Sequence, residues 1–203
     1  MKKNRLLKEL RLLFPSAQCE LDFNSSFQLL IAVVLSAQTT DQKVNKVTAV
    51  LFDKYADEKA LAKADINEVI EIIKPIGLAN NKSKNIINLS KALVERHNGK
   101  VPDDYDALVA LPGVGRKTAN VVLLEGFGIA TIPVDTHVAR VSKRLGLADE
   151  QASVYEVEMQ LRVFLPRSNW IEAHQLLIHF GRYLCKAIKP ECERCPFIKE
   201  CQK

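Results

Sequence analysis

Residues Phe27–Ala37 read FQLLIAVVLSA, an almost unbroken apolar run. It is too long for a typical strand and apolar on every side, so it suits a helix buried all round. A chain holding such a segment must wrap other elements around it, and the flanking sequence supplies helices for the purpose. Asp41 can cap the next one, whose apolar Val44, Val47, Val50 and Leu51 keep a helical rhythm. Asp65 opens another, with Ile66, Val69, Ile70 and Ile73 on one face and Pro75 and Gly77 ending it. Asn81–His97 repeats the pattern until Gly99. Further helices are expected at Ala107–Ala110, Arg116–Phe127, Thr136–Leu145, Val154–Phe164 and Asn169–Cys185. No pair of alternating runs is joined by a hairpin turn signal. The fold class expected is all-α.

Charge and targeting signals narrow the setting. The chain carries 29 Lys+Arg against 24 Asp+Glu, a formal charge of +5, which permits a nucleic-acid partner without requiring one. Met1-Lys2-Lys3 opens like a signal peptide, but Lys8, Glu9 and Arg11 break the apolar stretch that should follow. Leu6, Leu7, Leu10, Leu13 and Phe14 recur instead at helical spacing. No stretch approaches the ~18 continuous apolar residues of a membrane span. A cytoplasmic protein is expected, where disulfides are uncommon.

The cysteines therefore need another explanation. Cys185, Cys192, Cys195 and Cys201 are spaced C-x6-C-x2-C-x5-C, while Cys19 stands far from them. Four thiolates gathered by a short loop make a soft-ligand site for zinc or for a [4Fe–4S] cluster. Zinc sites pair their cysteines closely on both sides. Only Cys192 and Cys195 are so close here, which favours iron–sulfur and leaves zinc as the alternative. Lys186, Lys189 and Arg194 lie within the cysteine loops and are either a basic surface for a polyanion or ordinary solvated charge.

Leu111-Pro112-Gly113-Val114-Gly115-Arg116-Lys117-Thr118-Ala119 is the most informative stretch. Glycines on both sides of Val114 allow a tight turn with outward N–H groups. The helix starting near Arg116 adds its own unpaired N–H groups and positive end, making an anion site. It is not a nucleotide P-loop, because Arg116 separates Gly115 from Lys117. The segment matches a helix–hairpin–helix motif, a binder of the DNA backbone; the bland reading is a packing corner with a glycine cap.

Five segments taken together resemble the endonuclease III family of base-excision-repair glycosylases. They are VVLSAQTTD at Val33–Asp41, IGL at Ile76–Leu78, LPGVGRKTANVV at Leu111–Val122, PVDTH at Pro133–His137, and the four cysteines. The resemblance implies two helical domains flanking a DNA-binding cleft. One, 21–132, would hold the hairpin; the other, 1–20 with 133–203, would hold a [4Fe–4S] cluster on Cys185, Cys192, Cys195 and Cys201. It puts Lys117 in the place of a nucleophile that attacks the sugar C1′ and forms a Schiff base. The attacking amine must be neutral, and the positive end of a helix disfavours the ammonium. It puts Asp135 in the place of a catalytic carboxylate, although a helix cap suits that position equally. No chemistry is assigned to the adjacent His137.

The same resemblance gives Gln38 and Leu78 the task of filling the gap left by an extruded nucleotide. Gly113, Val114, Gly115 and Arg116, with Lys186 and Lys189, would hold DNA phosphates. The expected partner is duplex DNA with a damaged pyrimidine or abasic site, met by a monomer. Adenine-mismatch relatives lack a lysine at the Lys117 position, which sets them aside. A non-catalytic DNA-binding module and an electron carrier are the readings from other classes, and neither accounts for Lys117, Asp135, Gln38 and Leu78 together.

Overall fold

A computed structural model describes residues 2–202. Among them every regular element is helical, in two compact units. One comprises Glu20–Ile129; the other joins the residues up to Cys19 with those from Ala130 onward. No helix among the described residues is long and apolar enough to cross a membrane.

The first unit is built around the apolar run. Helix α2 (Ser26–Leu35, following α1 at Lys3–Leu13) buries eight of its ten residues. Its start is fixed by Ser25, whose hydroxyl accepts from the Gln28 N–H at 3.2 Å. Around it lie α3 (Asp41–Lys54), α4 (Glu58–Ala62), α5 (Ile66–Ile73), α6 (Ala79–Arg96), α7 (Tyr105–Val109) and α8 (Arg116–Phe127). Asp57, Asp65 and Asp104 cap α4, α5 and α7 with their side chains. Asp41 is not the cap expected of it: α3 starts on Thr40, which makes no side-chain cap, and Asp41 is already helical. There its charge still suits the positive end of the helix. Helix α6 begins two residues before the expected Asn81, directly after Leu78.

The second unit pairs α1 with α9 (Thr136–Arg144), α10 (Val154–Phe164) and α11 (Trp170–His179). Leu6, Leu7 and Leu10 of α1 share a core with Val138, Val141, Leu161, Leu177 and Phe180. The rim adds a two-pronged pair between the Arg11 guanidinium and Glu172, both bonds 2.6 Å. Arg5 pairs with Glu200 and donates to the Pro196 carbonyl at 2.9 Å, so α1 also fastens the cysteine segment. The helix expected to run unbroken to Cys185 changes winding after His179. Phe180–Leu184 forms a π-helical turn, which swings Cys185 out of the α-helical register.

Helices α3 and α5, which lead towards Leu78, are clamped by one buried phenol. Tyr55 donates to Glu68 at 2.7 Å, and Lys54 meets the same carboxylate at 2.8 Å. Burial, and then the Glu68 bond, push the Tyr55 phenol up to about 12. A phenol raised in the folded state stabilises it fully below the ordinary value of about 10, and that stabilisation is lost as pH rises towards 12. Absorbance titration should therefore show one of the four tyrosines ionising near 12. In Glu68→Gln that ionisation should move down while staying above the ordinary value, since burial is the larger cause; an unmoved titration would refute the clamp.

Candidate nucleic-acid interface and cysteine cluster

The glycine hairpin joins α7 to α8. After α7 the chain turns twice in short order, Leu111 N–H donating to Leu108 C=O and Val114 N–H to Leu111 C=O, each at 3.1 Å. Gly113 holds φ +77°, and a Cβ there would come within 2.9 Å of Asn85 Cβ on α6. Two constraints thus demand glycine at one position: the left-handed backbone and the closeness of a neighbouring helix. Gly115 is the N-cap of α8 and has no side chain to cap it. The N-cap of α8 thus supplies no side-chain acceptor to the amides of the first turn, the groups that an anion site uses.

The four hairpin residues singled out in the sequence are not alike. Gly113 and Gly115 are exposed, whereas Val114 is only 7% exposed, packs into the core and spends its N–H on Leu111. Arg116 is half-buried, with its guanidinium 5.7 Å from the Tyr105 ring centre and Nη1 donating to the Tyr105 hydroxyl at 3.3 Å. Tyr105 thus braces Arg116 from α7, eleven residues earlier, a pairing with no short-range sequence signal. Lys117 follows, exposed, in the first turn of α8.

Asp135 occupies the start of α9. Its Oδ1 accepts from both His137 N–H and Val138 N–H at 2.8 Å. The cap fixes the carboxylate at the positive end of α9. Arg140, one turn along, donates to the Gly181 carbonyl at 2.7 Å and the Cys185 carbonyl at 3.2 Å. Burial holds its guanidinium below the usual range, with the charge of Arg144 adding to that.

Gln38, Leu78 and Lys189 share an unusual backbone. The described residues contain four non-glycine residues with positive φ, and these are three of them; Asn98 is the fourth. Left-handed backbone at an unbranched Gln or Lys, or at Leu, costs roughly 1–2 kcal/mol. Gln38 lies just past the end of α2 and is exposed; Leu78 is 55% exposed. Lys189 is exposed, while Lys186 is half-buried and bound to Glu191 at 2.7 Å. Lys186 is the first cause, ahead of Arg194, that holds the Glu191 carboxyl below its ordinary value.

The four C-terminal cysteines are free thiols lining one small apolar cavity with Arg144, Leu145, Leu184, Pro190 and Ile198. Arg144 Nη1 donates to Cys185 Sγ at 3.4 Å and to the Lys186 carbonyl at 2.8 Å. Burial pushes the Cys195 thiol up; the Phe197 N–H opposes this, and the other three cysteines reinforce it. Among the described residues no three His, Cys, Asp or Glu side chains are drawn together as a single bound ion would hold them. What is present is a soft donor set around an apolar space, with an arginine supplying N–H to sulfur. Those features fit an iron–sulfur cluster. Cys19 belongs to a different stretch of the chain and does not line the cavity. Arg140 and Arg144 were missed by motif reading, although their i,i+4 spacing after Asp135 puts them on one face of α9.

The family model for HhH-GPD superfamily base excision DNA repair proteins matches residues 31–167. This chain belongs to that superfamily. Within it the chain is 50% identical to Endonuclease III of Bacillus subtilis (strain 168) over 191 residues, covering 94% of this chain and 87% of the relative. It is 46% identical to Endonuclease III of Escherichia coli (strain K12) over 201 residues, covering 99% and 95%. Two solved structures superpose with a TM-score of 0.95. One is a non-covalent Endonuclease III–DNA complex, 49% identical and covering 98% of this chain and 93% of that one. The other is a trapped Endonuclease III–DNA covalent intermediate, 48% identical and covering 100% and 96%. The superfamily match takes in the hairpin, Lys117 and Asp135 and stops before the four cysteines.

Gly113→Ala tests the hairpin's geometry. The added Cβ meets both a left-handed φ and Asn85, so the variant should lose about 1–3 kcal/mol of stability in urea unfolding. An unchanged midpoint would mean that the turn does not need glycine.

Proposed function

We propose that this protein is a base-excision-repair DNA glycosylase with AP lyase activity, removing oxidised pyrimidines from duplex DNA through a lysine Schiff base. The observation that carries the reading is Lys117: an exposed amine in the first turn of a helix whose start is left uncapped. It is strengthened by the 48% identity to a chain caught as a covalent intermediate with DNA.

Binding begins with phosphates. The exposed amides around Gly113 and Gly115 and the positive end of α8 hold a backbone phosphate irrespective of base. Arg116, braced on Tyr105, adds a fixed charge beside them. Lys189 and, more weakly because of its pairing with Glu191, Lys186 extend the basic surface. Such contacts displace counterions, so binding weakens as salt rises.

The chemistry needs the damaged nucleotide out of the stack. Leu78 enters the gap as an apolar wedge, and Gln38 presents a polar group to the orphaned base. Lys117 Nζ, as the neutral amine, attacks C1′; the C1′–N bond to the base breaks and the base leaves with a proton. Ring opening gives an imine between Nζ and C1′. Loss of a C2′ proton then expels the 3′ phosphate by β-elimination, and water releases the lysine. Asp135 stabilises the positive charge that develops on the sugar and moves protons near it. Its cap uses Oδ1, which leaves Oδ2 for this task.

Cys185, Cys192, Cys195 and Cys201 are the ligands for a [4Fe–4S] cluster, which would cross-link the segment that carries Lys186, Lys189 and Arg194. The enzyme works as a monomer on chromosomal DNA in the cytoplasm, in keeping with a single chain that carries every group named above.

Borohydride reduction during turnover on a duplex with one oxidised pyrimidine should trap a protein–DNA adduct, and Lys117→Ala should abolish it. Wild type that binds the duplex but yields no adduct, with abasic DNA tried as well, would leave a DNA-binding module as the better reading. Asp135→Asn keeps a capping oxygen and loses the charge. It should melt within about 1 kcal/mol of wild type while excision in a single turnover falls by a factor on the order of 100 or more. A melting change with no rate change would make Asp135 a cap and nothing else.

A further inference from the structure

Lys82 has no part in the reaction described above, yet it is placed as no ordinary lysine is. It lies in the first turns of α6 with only 4% of its surface exposed. The one hydrogen bond its ammonium makes is to the Ile76 carbonyl, at 3.2 Å. Burial holds it below the usual lysine range. A buried ammonium with one carbonyl partner is costly to the fold. An apolar chain of similar length, such as methionine, would fill the space without that cost. Stability therefore does not account for the charge, and its geometry does.

Two donors of this one residue grip the carbonyls on either side of Gly77. The side chain takes Ile76 C=O, and the backbone N–H takes Leu78 C=O at 3.0 Å. Between them Gly77 has φ 70° and ψ 165°, a conformation essentially confined to glycine. Leu78 follows in the left-handed region at φ 53° and ψ 29°, as the N-cap of α6 with no side-chain cap. A strained two-residue turn persists only where its surroundings over-determine it, and Lys82 is the residue that reaches both of its ends.

We propose that Lys82 is a positioning residue for strand opening: it locks the Ile76–Leu78 turn in the shape that presents the Leu78 side chain to DNA. The inference rests on the reading of Leu78 as the wedge. A wedge must displace a stacked base, so it has to be rigid before contact; a turn free to relax would fold Leu78 back and yield to the duplex. Lys82 acts through Leu78 and touches neither sugar nor base.

The test uses full-length wild type, Leu78→Ala, Lys82→Met and the double variant on two substrates. One is a duplex with a single oxidised pyrimidine; the other is an abasic site in a single strand, where no stacked base must be displaced. Lys82→Met should lose about tenfold in single-turnover nicking of the duplex, matching Leu78→Ala. The double variant should be no slower than the slower single one, as expected for residues acting through one contact. On the single strand all variants should stay within about twofold of wild type, since no unstacking is required there. A 2-aminopurine opposite the lesion should brighten when wild type binds and stay dim with Lys82→Met. Should the methionine form not fold, Lys82→Gln, whose amide is too short to reach Ile76, is read in its place.

Equal losses on both substrates, multiplying losses in the double variant, or a Lys82→Met rate within twofold of wild type on the duplex would each overturn the proposal. If Leu78→Ala matches wild type, the wedge itself fails and the proposal falls with it. Wild type that brightens 2-aminopurine but nicks neither substrate would instead refute the glycosylase reading alone. In that case the dim signal of Lys82→Met still supports the role assigned to Lys82.

Discussion

An α-helix cannot satisfy the N–H groups of its own first turn, and this chain treats that deficit in two opposite ways. At α9 the deficit is filled: Asp135 Oδ1 takes two amides, and in return its carboxylate is fixed in place. At α8 the N-cap is Gly115, which has no side chain to give, and this is the helix start proposed above to take a phosphate. Other contacts lie close to those two starts or in the same unit as α8. Gly113 brings the hairpin against Asn85, Tyr105 braces Arg116, and the buried α2 supplies a rigid core for the unit in which α8 sits.

Strain follows the same division of labour. Most of this fold is regular helix with ordinary caps, where local preference and packing agree. Among the described residues the left-handed non-glycine positions are Gln38, Leu78, Asn98 and Lys189, and three of these four are the ones proposed above to meet DNA. A cost of roughly 1–2 kcal/mol per site is affordable in a domain whose net stability is about 5–15 kcal/mol.

Much of this was legible in residue order because helices announce themselves locally. The apolar run at Phe27, the aspartate at position 65 and the glycines of the hairpin each act within one or two turns of themselves. The segments that carry the superfamily resemblance are likewise contiguous. What could not be read is long-range or conformational. Nothing near Arg116 in the sequence names Tyr105, and nothing near Val114 says that its N–H is spent on Leu111. The π-helical turn at Phe180–Leu184 leaves no signal in the helical rhythm of the sequence, which runs on to Cys185. Lys82 looks like any surface lysine until its burial is known. Asp41 shows the opposite failure, a sound local rule displaced by one residue.

Helix α1 packs with α9–α11 and grips Pro196 and Glu200 through Arg5, although the whole of Glu20–Ile129 intervenes in the chain. During synthesis this imposes an order. The inserted unit has all of its partners as soon as residue 129 has emerged, whereas α1 leaves the ribosome before α9–α11 and must wait for them. At about 5–20 residues per second the amphipathic Leu6, Leu7 and Leu10 are uncovered for on the order of ten seconds. The charges that interrupt them, Lys8, Glu9 and Arg11, keep a waiting helix soluble before they do anything for the finished molecule.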